Sequence, residues 1–153
     1  VNHLEGTKVV LVTPPVASVN NASALTATID TAGFDTCAIF ITIGVADAAM
    51  TALKVQESDF ANMSGAADVT GLVYGTSADI AGTTSALPAS TNDNTIFAFD
   101  IDLKARKRYL DVVATVGAAG TTGAFLTALA LLGRAEQTPT TIAQRGATSI
   151  LRA

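Results

Sequence analysis

Apolar side chains in this chain recur mostly at every second position, the period of a half-buried β-strand rather than that of a helix. Residues 36–45 show it best. Cys37, Ile39, Ile41 and Ile43 share one face, and Ala38, Phe40 and Thr42 share the other. Both faces are mostly apolar, which predicts an interior strand covered on both sides. In residues 95–103, Phe97, Phe99, Ile101 and Leu103 lie opposite Ala98, Asp100 and Asp102. In residues 109–116, Leu110, Val112, Ala114 and Val116 alternate with Asp111, Val113 and Thr115. Residues 51–57 set Thr51, Leu53, Val55 and Glu57 against Ala52, Lys54 and Gln56, a strand with one wet face.

Weaker signals surround these. Residues 8–13 form a β-branched run that Pro14 and Pro15 stop. Leu25, Ala27 and Ile29 alternate with Thr26 and Thr28. The Gly-, Ala-, Ser- and Thr-rich stretch 58–88 holds a short strand at 70–74 and a helical turn at 77–81. Residues 125–132 are apolar on both faces; Leu and Ala favour helices, but the short length and flanking glycines predict a strand. Turn clusters fall at 30–35, 90–94 and 117–123.

Seven or eight strands at turn-separated intervals predict an all-β fold, an antiparallel β-sandwich or barrel, and we take the sandwich. Its core should hold Ile39, Ile41, Phe97, Phe99, Leu110 and Val112. We place the sandwich domain at 25–134, between an extended N-terminal arm, 1–24, and an extended C-terminal arm, 135–153. The arms carry Pro14, Pro15 and Pro139 and lack strong periodicity. They suit docking along a partner; the alternative is that they fold back as edge strands.

Composition sharpens the picture. Of 153 residues, 14% are charged against 49% hydrophobic, where soluble proteins average about 25% charged. Some surface is then expected to be covered by a partner. The net charge of −4 argues against nucleic acid, which requires a basic face. No apolar run reaches the roughly eighteen residues of a membrane span. The amino terminus lacks the order of a signal peptide, and its small first residue suggests a processed initiator methionine and a nearly complete chain.

Candidate chemistry is sparse. The single histidine, His3, sits at a terminus, and the single cysteine, Cys37, sits in the most apolar strand. Neither composes a nucleophile–base pair, and no catalytic residue is expected. Asp100, Asp102 and Asp111 offer paired carboxylates, and Asn92, Asp93 and Asn94 offer oxygen ligands. Solvated strand faces and turn chemistry explain both, so no metal or cofactor is expected. Gly117, Gly120 and Gly123 do not compose a phosphate-binding loop, and a flexible connection is expected there. Asn21 and Asn62 open chance matches to the glycosylation pattern. Lys104, Arg106, Lys107 and Arg108 form the one basic cluster. We read it first as a hairpin connection paired with Asp100, Asp102 or Asp111, and second as a docking patch for an acidic protein surface. In the tail, Ile142, Ile150 and Leu151 stand among Arg145 and Arg152, a mix suited to a groove on a partner.

Four stretches, 29–35 (IDTAGFD), 53–59 (LKVQESD), 71–77 (GLVYGTS) and 101–110 (IDLKARKRYL), resemble a family of capsid decoration (cement) proteins of tailed bacteriophages. The resemblance spans most of 25–134 and leaves the tails out. It implies a jelly-roll-like β-sandwich, a homotrimer, and a place on the exterior of a virion assembled in the host cytoplasm. The partner it implies is the major capsid protein, whose capsomers the protein would bridge. Neck, tail and fibre-base sandwiches are the alternative, as is a host-surface or carbohydrate-binding module. The last should show exposed aromatic platforms, and this chain has no Trp and two Tyr.

Overall fold

The computed structural model describes residues 3–139 and 141–152. Nine strands follow in order: β1 (Lys8–Thr13), β2 (Ala22–Ser23), β3 (Ile29–Asp30), β4 (Phe34–Ala46), β5 (Met50–Ser58), β6 (Ala67–Val73), β7 (Thr95–Asp102), β8 (Tyr109–Val116) and β9 (Ala124–Ala135). They build two antiparallel sheets, β1-β9-β4-β7 and β2-β8-β5-β6, with β3 also paired to β8. The pairs β1–β9, β2/β3–β8, β4–β7 and β5–β6 nest like the rungs of one long hairpin wound around a barrel. That winding is the jelly roll.

The alternation that predicts the strands also orients them. Ile39, Ile41 and Ile43 of β4 and Phe99 and Ile101 of β7 point inward. They meet Leu53 and Val55 of β5 and Leu110, Val112 and Val116 of β8 in one core cluster. Five of the six predicted core residues lie in it, and the sixth, Phe97, is partly buried and packs against it. β-Branched side chains fit this pleated, half-buried surface. β9 is rich in helix formers yet extended, because its backbone pairs on both sides, with β1 and with β4. Its inward positions combine small and large side chains, Ala124, Ala128 and Ala130 with Leu126 and Leu132.

Several expectations change. Residues 8–13 belong to the sandwich, as the edge strand β1 with Val12 in the core, and not to an outlying arm. The fold-back alternative holds there. The C-terminal segment also lies against the sandwich. The Val9 amide donates to the Arg145 carbonyl at 2.9 Å, and the Glu136 amide to that of Gly33 at 2.8 Å. Gly146, at φ +75°, approaches the Val9 backbone so closely that a β-carbon would overlap it. Residues 1, 2, 140 and 153 of the expected arms lie outside the described residues. β7 and β8 are not a hairpin, because they lie in different sheets. A bulge in β5 exposes Thr51 and buries Met50. Leu25 is exposed, and only Ile29–Asp30 of its run is strand. Residues 77–81 form no helix. β4 is interior, but only its inner face is covered.

Phe99 is 4% exposed and packs edge-on against Tyr74, with ring centroids 5.2 Å apart. Phe99→Ala is expected to cost about 3–5 kcal/mol, read as a lower midpoint in denaturant unfolding at unchanged slope.

Candidate functional site

The basic cluster lies on the crossover from β7 to β8, in and after a 3-10 turn at Leu103–Ala105 that Asp102 caps. Three of its four cations are matched within the chain. Arg106 lies 3.5 Å from Glu57, and Lys107 lies 2.9 Å from Asp59. Arg108 makes two 2.9 Å hydrogen bonds to Asp30 and stacks over Tyr109 at 5.0 Å. The expected partners Asp100, Asp102 and Asp111 are therefore not the ones used. The basic side chains instead tie the crossover to β3 and to the end of β5. Lys104 joins Asp35, Asp100, Asp102 and Arg134 around a shallow hollow of about 370 Å³. Asp111 lies on the other sheet, so the three aspartates do not converge. Among the described residues, no group of three His, Cys, Asp or Glu is placed to hold a metal ion.

Other carboxylates fasten loops. Asp47, just after β4, accepts the backbone amides of Thr121, Thr122 and Gly123 at 3.0, 2.8 and 2.5 Å. The 117–123 connection is thus pinned rather than flexible. Gly123, at φ +80°, sits where a β-carbon would meet the Val19 carbonyl. Asp79 organises its own turn through Ala81 and Thr83. Asp93 accepts the Ala46 amide at 2.8 Å, and Asn92 accepts that of Ala89, so the 90–94 cluster does turn chemistry. Cys37 is buried, and desolvation pushes its thiol up to about 12, far from the reactive thiolate range.

In the C-terminal segment, Ile142, Arg145, Ile150 and Arg152 line a second shallow hollow of about 310 Å³. The Arg145 guanidinium is held by the Pro139 carbonyl through two bonds of 3.0 and 2.9 Å. Leu151 is 96% exposed. The structure therefore groups four of the five predicted tail residues and leaves Leu151 projecting.

A further feature was not among the predicted site residues. The outward side of the β1-β9-β4-β7 sheet carries apolar side chains in register. One cross-strand row is Leu11, Leu129, Phe40 and Ala98, and the next includes Thr127, Thr42 and Ile96. Leu11, Phe40, Ile96, Phe125 and Leu129 are 39–67% exposed. The outward side of the other sheet is polar instead, with Lys54 bonded to Asp68 at 2.8 Å and Gln56 to the same carboxylate at 2.7 Å. The signal in the sequence was the second apolar face of 36–45 and 125–132, read above as evidence of cover.

No protein-family model, curated protein or solved structure matches the chain. Fold and surface define its class by themselves: an all-β, antiparallel jelly-roll sandwich with one polar and one apolar outer face.

Asp30, Asp47, Asp68 and Asp79 are all held below the ordinary 3.8 of an aspartate, first by Arg108, the Thr122 amide, Lys54 and Thr83 respectively. A carboxylate whose folded value is depressed stabilises the fold above its unfolded value and loses that contribution as pH falls through the folded one. The melting temperature should therefore be level from about pH 7 to 5 and fall below about pH 4. Asp47→Asn should make that fall shallower, as read by circular dichroism melts across the pH series.

Proposed function

We propose that this chain is a structural virion protein, a decoration (cement) protein on the exterior of a tailed-phage head. There it stabilises contacts between capsomers of the major capsid protein. The observation that supports this reading most is the uncovered apolar face of the β1-β9-β4-β7 sheet. A sandwich that buries its own core and still presents such a face is suited to being covered by protein. The likeness of residues 29–35, 53–59, 71–77 and 101–110 to decoration proteins points the same way. The polar groups fit a scaffold too, since those described above cap turns, fasten loops and tie the crossover. Cement action needs no reacting group. It adds buried area between shell subunits, and each copy gains from its neighbours through effective concentration.

Contact with the shell falls to the C-terminal segment in this reading. Leu151 projects fully, Ile150 and Ile142 lie beside it, and Arg152 adds a charge for an acidic surface. The exposed aromatic platform of a sugar-binding module is not favoured. Tyr74 and Tyr109 are each partly buried, and the Tyr74 hydroxyl is committed to the Ala98 carbonyl at 2.8 Å.

The test uses purified full-length chain and heads of the encoding phage that lack it. Co-sedimentation is expected, with a higher temperature of DNA release from decorated heads. Burying one Leu contributes about 1.5–3 kcal/mol, so Leu151→Ala should weaken head binding about ten- to a hundredfold. The free protein's melting temperature should not change, because Leu151 contacts little of the fold. Binding to isolated tails but not to heads would move the protein to the neck or tail. Binding to neither would sink the virion reading.

A further inference from the structure

The outer face of the β1-β9-β4-β7 sheet invites a question that the capsid reading does not answer: what covers it. Lateral strand addition is hindered at both edges of this sheet. On β1, the Val9 amide is taken by the Arg145 carbonyl, and the Val12 carbonyl by the Ala27 amide. On β7, the Ala98 carbonyl is taken by the Tyr74 hydroxyl. Asp100 and Asp102 add charge to that edge, a common guard against edge pairing. What remains open is the face itself.

We propose that this face is a self-association surface that binds the same face of a second copy of the chain, about a twofold axis. Three observations favour a copy over a foreign partner. First, the two central rows carry no charge. The face can therefore meet itself without like-charge repulsion, although each chain carries −4 overall. Second, the area suffices. Four strands about 4.8 Å apart and roughly seven residues long, at about 3.4 Å per residue, span about 450 Å² of projected face. Two copies together cover about 1,000 Å² once side-chain relief is included, the size at which specific interfaces begin. Third, the pattern is self-complementary. With the axis in the interface, running between the two central rows, the Leu11–Leu129–Phe40–Ala98 row of each copy meets the Thr127–Thr42–Ile96 row of the other. Every contact is then made twice. Strand direction reverses across that axis, so Asp100 and Asp102 of the two copies lie at opposite ends of the contact. The pair of sheets packs as two sheets of a sandwich do, about 10 Å apart.

The twofold packing departs from the trimer that the family resemblance implies, and it needs no shell. Analytical ultracentrifugation of the full chain, without heads, therefore tests it apart from the capsid reading. The wild type should sediment as two chains at micromolar concentration. Phe40→Glu buries a carboxylate in each half of the contact, and Ile96→Glu does so from the neighbouring row. Each should weaken the dimer at least tenfold while leaving the circular dichroism spectrum and melting temperature intact. Thr70→Glu, on the exposed side of β6, should leave the dimer as it is. A wild-type monomer at about 100 µM, where a micromolar dissociation constant would leave nearly all of it paired, overturns the proposal. So does a dimer that survives both Phe40→Glu and Ile96→Glu, and so does a trimer. A monomer whose head binding is abolished by Phe40→Glu assigns the face to the shell protein and overturns self-association equally.

Discussion

β9 lies between β1 and β4, so the first sheet has no continuous ladder until the last strand has arrived. Its partners are far away in sequence. The Thr127 hydroxyl, for example, donates to the Thr13 carbonyl at 2.7 Å across 114 positions. Everything else in the molecule leans on that insertion. β4 would otherwise expose one hydrogen-bonding edge, and β1 would have no sheet at all. The buried Ala and Leu of β9 would also be missing from the core. Loop-closure entropy must be met before such distant pairs contribute, so folding of this topology is slow relative to local-contact folds. It is also cooperative, because no half of the wound hairpin has a complete core.

The carboxylates and guanidinium groups are placed to serve that closure. Asp47 draws the β8–β9 connection onto the end of β4, which aims β9 into its slot. Arg108 and Asp30 clamp β3 beside the start of β8, and Glu57 takes both the Lys107 amide and the Arg106 side chain. Exposed ion pairs of this kind contribute little to stability individually. Their value lies in geometry, since each fixes where a connection crosses from one sheet to the other. A chain with few charges has used many of them at crossovers, and that leaves the two central rows of one outer face without any.

Much of the local structure was legible. Alternation placed β4, β7 and β8 and oriented Phe99, Ile39 and Leu110 correctly, because burial on a pleated strand follows period two; short length between glycines placed β9. The winding was not legible, since periodicity says which residues share a face but not which strand lies beside them. Residues 95–116 read as a hairpin because Asp and basic residues alternate around a short connection. The chain instead crosses between sheets there, and the cations pair with Glu57, Asp59 and Asp30 from other elements. The role of Asp47 depends on a loop 74 or more positions away, which no local pattern announces. The site was half legible. The apolar second face of β4 and β9 stood in the sequence, but only the packed molecule shows that no part of the same chain covers it.

The winding also brings the boundaries of the strand-bearing chain together. The Ala135 amide donates to the Gly6 carbonyl at 3.2 Å, so the first and last strands begin and end side by side. Covalent order is thereby separable from spatial order. The pairings do not depend on where the chain is cut, and a chain opened in the exposed turn around Asp79, with a short link across Gly6 and Ala135, would contain the same pairs. Exposed turns of small polar residues are where such reconnection is tolerated. Circular permutation is thus built into the geometry, and a peptide fused near either boundary would emerge from the same corner of the sandwich.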